Sequence, residues 1–136
     1  MHIPGGAGNR HLLSAEQLAL MRPGTVLINT SRGEVVDSRA LVEALAEGTV
    51  AAAGLDVLEA EPKVREEAEL LRSAFTHDRD QDAILADQIL LRIHNVVVTP
   101  HNAFNTCEAV GRILDVTRAN IEAYAAGRCE NTVRVR

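Results

Sequence analysis

The stretch Thr25-Val26-Leu27-Ile28-Asn29-Thr30-Ser31-Arg32-Gly33-Glu34-Val35-Val36-Asp37 sets a lone arginine just past the carboxyl end of a short apolar run. Val26, Leu27 and Ile28 have the continuous apolar character of a buried parallel strand, and the residues after them are small, polar or cationic. In an open α/β sheet, ligands sit in the crevice beyond the carboxyl ends of the strands, so Arg32 falls where an anionic substrate could be held.

Upstream, Ser14 with Gln17 forms a capping-box pattern for a short helix over Ala15 to Met21, ended by Pro23-Gly24. Residues 1–10 have no periodicity. Gly6-Ala7-Gly8 has no strand before it and no third glycine at the right spacing, so it does not make a dinucleotide fingerprint. Downstream, Asp37 or Ser38 caps a helix whose apolar face is Leu41, Val42 and Leu45 and whose stop is Gly48. Val50 to Val57 reads as a second buried strand, leaving Asp56 near its carboxyl end and Glu59, Glu61 and Pro62 in the loop beyond.

Residues 63–94 are mostly polar, with helical pieces expected over Glu66 to Ala74 and Asp82 to Ile93. Asn95 to Thr99 forms a third strand, closed by Pro100, with His101 first after it. A long helix follows from Thr106 to about Ala126, with Val110, Ile113, Leu114, Thr117, Ile121 and Tyr124 on one stripe and Gly127 at its end. Val133 and Val135 alternate in the tail. The order of elements predicts an α/β parallel sheet of about three strands with flanking helices. Its three strand ends carry Arg32, Asp56 with Glu61, and His101.

Composition bounds what these residues can belong to. A chain of 136 residues that is 46% apolar is one domain by size with enough apolar content for a core. Lys and Arg number 14 against 19 Asp and Glu, a net charge of -5 with no basic block, which excludes nucleic acid and anionic membranes as expected partners. Two Phe, one Tyr and no Trp leave the core to aliphatic residues and no base-stacking platform. Cys107 and Cys129 flank the long helix, too far apart to bridge, and free thiols point to a reducing compartment. With no membrane-length apolar run and no signal pattern in the first residues, a cytoplasmic location is expected. His2, His11, His77 and His94 are read as surface or structural, and no Cys/His spacing suits a metal.

An arginine presents a planar fork that binds a carboxylate bidentately, and a histidine moves a proton near neutral pH. A neighbouring carboxylate orients such a histidine and favours its protonated form. Anion clamp, proton donor and carboxylate partner suit reduction of a 2-oxo acid, with hydride arriving from a separate donor.

Three motifs then carry a resemblance: Met21-Arg22-Pro23-Gly24-Thr25-Val26-Leu27-Ile28-Asn29-Thr30-Ser31-Arg32-Gly33; Gly54-Leu55-Asp56-Val57 with Glu61-Pro62; and Asn95-Val96-Val97-Val98-Thr99-Pro100-His101. In order, spacing and side chains, from His2-Ile3-Pro4 to the final helix, the chain resembles the D-isomer-specific 2-hydroxyacid dehydrogenases. Asn9, the insert before Asn95, and Asn102 to Thr106 resemble their D-lactate dehydrogenase branch. The resemblance implies NAD as cofactor and a small 2-oxo or 2-hydroxy acid as substrate. It implies Arg32 on the substrate carboxylate, His101 as acid/base and Glu61, rather than Glu59, as its partner. Asp56, Thr30 and Ser31 would approach the nicotinamide, and Ile3, Pro4 and Asn9 would lie along the rest of NAD.

Members of that family are over twice as long, with a strand, a G-x-G-x-x-G turn and a ribose-reading acid ahead of these motifs. The chain thus reads as a partial Rossmann-like, doubly wound sheet: residues 1–136 are the C-terminal part of a dinucleotide-binding domain, and 105–127 are a helix that would pack on a substrate domain. The main pyrophosphate anchor is absent from this sequence, so inactivity of the isolated chain is expected. A truncated paralogue serving as an assembly module is the alternative. A sheet edge beside Val26 to Ile28 and an unpartnered helical stripe predict a homo-oligomer or pairing with a separate N-terminal half.

Overall fold

The computed structural model describes residues 1–61 and 79–132. The helix expected over Glu66 to Ala74 and the alternation at Val133 and Val135 lie outside them. The chain divides into two compact units, Met1–His101 and Asn102–Arg136. In the first, the order is α1 (Ala15–Ala19), β1 (Thr25–Asn29), α2 (Ser38–Glu47), β2 (Val50–Leu55), α3 (Arg79–Leu90) and β3 (Val96–Val98); the second contains α4 (Cys107–Ala125). Among the described residues, three parallel strands form one open sheet in the order β1-β2-β3. Strands added outward in chain order, with helices between them, make one half of a doubly wound α/β sheet.

Local chemistry sets the element ends. The Ser14 amide donates to Gln17 Oε1 at 3.2 Å, completing the capping box of α1. This helix stops at Ala19, short of Met21, because Pro23 cannot follow in a helix and Gly24 turns the chain at φ +88°. Asp37 is the cap of α2, accepting from the Ala40 amide at 3.0 Å, and Gly48 ends it in the left-handed region at φ +79°. The helix α3 ends at Leu90, before the expected Ile93, where the Arg92 amide turns back to the Ile89 carbonyl at 2.9 Å and frees the chain to enter β3.

The core lies on one face of the sheet. Leu18 of α1, Leu41 of α2 and Leu90 of α3 meet Leu27, Ala53 and Leu55 of the strands, and all are buried. Within α2 the buried face is Ala40, Leu41, Ala44 and Leu45, with Val42 at its margin. The opposite face differs from the sequence expectation of a strand buried on both sides. Val26 and Ile28 are 59% and 58% exposed, and Val97, in register with Gly54 and so with Ile28, is 66% exposed. The run Val26-Leu27-Ile28 has the composition of a strand covered on two faces, and the described residues cover one.

In the second unit, the Thr106 hydroxyl oxygen accepts from the Ala109 amide at 3.2 Å to cap α4, and Gly127 follows its end at φ +73°. Ile113, Leu114, Ile121 and Tyr124 of the expected stripe are exposed. Cys107 and Cys129 are free and exposed. Among the described residues, no helix is long and apolar enough to cross a membrane.

Candidate active site

The turn after β1 is built by Asn29. Its buried side chain accepts from the Ser31 amide at 3.1 Å and the Ser31 hydroxyl at 2.8 Å, and donates to the Arg32 carbonyl at 3.0 Å. One side chain thereby closes Thr30 to Arg32 into a fixed turn, the habit of Asn where an apolar run ends. The Arg32 side chain is exposed and donates from Nη1 to the Ser31 carbonyl at 2.8 Å. The arginine ion pairs among the described residues belong to Arg10, Arg39, Arg118 and Arg128, which leaves the Arg32 fork available to an anion.

At the end of β2, Asp56 is buried, donates its amide to the Asn29 carbonyl at 2.9 Å and accepts the Thr99 hydroxyl on its carboxylate. The Thr99 amide in turn donates to the Leu55 carbonyl at 2.9 Å. Backbone and side-chain bonds thus tie all three strand ends together.

His101 follows β3 with φ +55°, and its amide donates to the Thr99 carbonyl at 2.9 Å. A bulky residue in the left-handed region is uncommon and is strained unless its surroundings hold it. They do so through the ring: Nδ1 lies 3.0 and 3.1 Å from the two carboxylate oxygens of Glu61. An ionised carboxylate only accepts, so Nδ1 carries the proton and Nε2 is the nitrogen left for exchange. Arg32, Gly33, Val57, Leu58, Glu61 and His101 line one cleft of about 340 Å³. A second cleft, of about 180 Å³, is bordered by Asp56, Thr99 and Pro100, and again by Glu61 and His101.

The remaining sequence-predicted positions sit close by. Asn9 donates from its side chain to the Pro4 carbonyl at 2.9 Å, closing the turn that Ile3 leads into. The residues before that turn lie beside the end of β1, where the Met1 ammonium donates to the Ile28 carbonyl at 2.7 Å and Thr30 Oγ1 is 3.5 Å from His2 Nδ1. Ile3, Pro4, Asn9, Thr30 and Ser31 are not among the residues lining the two clefts, and the Ser31 hydroxyl is committed to Asn29.

Two residues here escaped the sequence reading, Asn29 and Asp87, and Glu59, set aside there as the partner of His101, has partners that reading did not anticipate. Glu59, almost wholly buried, accepts from Arg10 at 3.1 Å, from His11 Nε2 at 2.6 Å and from the Ser38 amide at 3.2 Å. Asp87 of α3 is fully buried, accepting from the Ser38 hydroxyl at 2.6 Å and the Ala60 amide at 2.8 Å. Burial pushes its carboxyl above the usual range, with the Glu59 charge adding to the rise and hydrogen bonds from the Ser38 hydroxyl and the Ala60 and Glu59 backbones opposing it. The available signal for Asn29 was an Asn closing an apolar strand before a Ser. For Glu59 and Asp87 no local signal existed, because their partners are distant in sequence.

Residues 1–103 match the family model described as D-isomer specific 2-hydroxyacid dehydrogenase, NAD binding domain. The chain belongs to the D-isomer-specific 2-hydroxyacid dehydrogenase family. A 2-hydroxyacid dehydrogenase homolog of Haemophilus influenzae is 38% identical over 137 residues, covering 98% of this chain and 38% of that protein. An aromatic 2-oxoacid reductase of Clostridium sporogenes is 35% identical, covering 96% and 38%.

Among solved structures, the D-lactate dehydrogenase of Lactobacillus jensenii with NAD+ superposes with a TM-score of 0.76 at 32% identity, covering 99% of this chain and 38% of that one. The Aquifex aeolicus D-lactate dehydrogenase complexed with NAD and lactic acid gives 0.72 at 32% identity, covering 93% and 36%. The chain thus spans 38% of the length of the first dehydrogenase homolog it matches. NAD is the cofactor of this family. The strand ends suit the nicotinamide end of that molecule, since the clefts combine the apolar walls of Val57, Leu58 and Pro100 with a few fixed polar groups and the buried Asp56.

Proposed function

We propose that this chain supplies the substrate clamp and the proton-transfer pair of an NAD-dependent dehydrogenase interconverting a 2-oxo acid and a D-2-hydroxy acid. The observation that carries the reading is the single cleft lined by Arg32, Glu61 and His101. The Arg32 fork takes the substrate carboxylate in two parallel hydrogen bonds, which orients the molecule as well as holding its charge. His101 gives its Nε2 proton to the carbonyl oxygen during reduction and takes it back from the hydroxyl during oxidation. Glu61, on Nδ1, fixes the ring and leaves Nε2 facing the substrate.

NAD, when bound, supplies or accepts the hydride. Asp56, Thr30 and Ser31 would hold its nicotinamide end, and Ile3, Pro4 and Asn9 the portion beyond. No G-x-G-x-x-G turn preceded by a strand occurs in these 136 residues, so the isolated chain lacks the main dinucleotide anchor and should not turn over.

The test is NADH oxidation with pyruvate, by the chain alone and after addition of the N-terminal half of the Haemophilus influenzae homolog. Turnover is expected only in the mixture, with KM rising when Arg32→Lys replaces the fork by a point charge. Turnover by the chain alone at the rate of a full-length relative would refute the expected inactivity. A mixture that forms a complex, binds NADH and still does no chemistry would refute the site.

A second reading, a non-catalytic assembly module, is favoured by the exposed Val26, Ile28 and Val97 on the open face of the sheet. On either reading the chain should form a dimer or larger assembly burying ~1,200 Å² or more in total. Sedimentation at micromolar concentration checks this, and a stable monomer contradicts it. The free thiols of Cys107 and Cys129 accord with a cytoplasmic setting.

A further inference from the structure

We propose that Asp87 is a positioning residue: from the buried face of α3 it holds the Ala60 backbone and thereby sets Glu61 against His101. The proposal rests on the reading of Glu61 and His101 as the proton-transfer pair. The segment from Val57 to Ala60 leaves β2 as a loop that delivers Glu61, and a loop that places a catalytic partner must be held by something rigid. One turn bond within it runs from the Glu61 amide to the Leu58 carbonyl at 3.3 Å.

The stronger restraint comes from outside the loop. Asp87 Oδ2 accepts from the Ala60 amide at 2.8 Å, and Oδ1 accepts from the Ser38 hydroxyl at 2.6 Å. Both oxygens are thus used, one on the loop and one on the start of α2, and the residue is wholly buried between them. Ala60 is itself buried, and the next residue is Glu61. Glu59, on the other side of Ala60, is held by the Ser38 amide together with Arg10 and His11. Two buried carboxylates therefore grip the same first turn of α2 and fix two successive loop residues. Burial of a carboxylate is costly unless its hydrogen bonds are made. A leucine would fill the space at position 87 without that cost, so a core role alone does not account for an aspartate there.

The pair of substitutions Asp87→Asn and Asp87→Leu separates positioning from packing in the full chain, with no substrate or cofactor required. The amide of Asp87→Asn can accept from Ala60 with its oxygen and donate to Ser38 Oγ with its nitrogen, so both bonds survive. Asp87→Leu keeps the branched shape, somewhat enlarged, and leaves the Ala60 amide unpaired. The readouts are hydrogen exchange at the Ala60 amide and the tautomer of the His101 ring from its nitrogen chemical shifts. Wild type and Asp87→Asn should show a protected Ala60 amide and a proton on Nδ1.

Asp87→Leu should lose about tenfold or more in protection at Ala60, and its His101 should lose the preference for Nδ1–H, with the Leu41 amide of α2 still protected. An Asp87→Leu protein that is folded, with Ala60 protection and the His101 tautomer unchanged, would overturn the proposal. If that variant does not fold, Asp87→Ser, which is too short to reach Ala60, is read in the same way. The wild type alone also decides: an Ala60 amide exchanging at the rate of an unprotected one overturns the brace. Glu61→Ala distinguishes this failure from failure of the underlying reading. If removing Glu61 leaves the His101 tautomer untouched, the proton-transfer pair is wrong; if it shifts the tautomer and Asp87→Leu does not, only the positioning role is wrong.

Discussion

Gly33→Ala should destabilise the first unit by about 3 kcal/mol, at the upper end of what overpacking costs. A Cβ at this position would fall inside the Leu58 carbonyl group and lie 2.6 Å from the Glu59 nitrogen. Flexible side-chain ends can move aside from such a contact, but these are backbone atoms. They belong to a loop fixed on its far side by the bonds of Glu59 to Arg10, His11 and Ser38 and of Ala60 to Asp87. Relief therefore requires the Arg32 turn and the Glu61 loop to separate, which removes the cleft they share. Urea unfolding followed by circular dichroism measures the loss, with Gly111→Ala as the control. Nothing lies within 4 Å of a Cβ at Gly111, and a helical glycine replaced by alanine should gain about 0.5–1 kcal/mol. A Gly33→Ala protein as stable as wild type would show that the two loops are free to part.

His101→Asn should lower kcat by about 10²–10⁴-fold in the complemented enzyme, the range attributed to a positioned proton donor. Asparagine is the informative replacement, because His101 has φ +55° and Asn tolerates the left-handed region better than most residues. Its side-chain amide can still donate to Glu61, so backbone and partner are kept while the titratable nitrogen is removed. His101→Ala would confound the chemical loss with relaxation of the backbone. Substrate affinity should change little in His101→Asn, since on the proposed reading the carboxylate rests on Arg32. Steady-state kinetics with NADH and a 2-oxo acid check both statements, and a tenfold rise in KM at unchanged kcat would assign His101 to binding instead of proton transfer.

Much of this arrangement was written locally in the chain. Three short apolar runs, each stopped by a turn residue or a proline, located the strands, and the residues after them located Arg32, Asp56 and His101. The caps at Ser14 and Asp37 and the stops at Gly48 and Gly127 act within one turn of their own positions, so sequence spacing reveals them. The buried polar contacts were not readable in the same way. Ser38 meets Asp87 across 49 residues and Ala60 meets it across 27, and no periodicity within α3 marks an aspartate whose partners are that distant. Burial of β1 on one face only was hidden for a related reason, since an apolar run records how many faces want cover and not which elements supply it.

The close approach of Gly33 to Leu58 fixes the span between the guanidinium turn and the imidazole–carboxylate pair. On the proposed reading, a span fixed by backbone contact would recognise only what every 2-oxo acid has in common, the carboxylate and the adjoining carbonyl. Selection among substrates must then come from walls lying further along the molecule. Specificity and chemistry would, in that sense, be inherited separately: relatives that this chain matches over 96% and 93% of its length carry names as different as aromatic 2-oxoacid reductase and glyoxylate reductase.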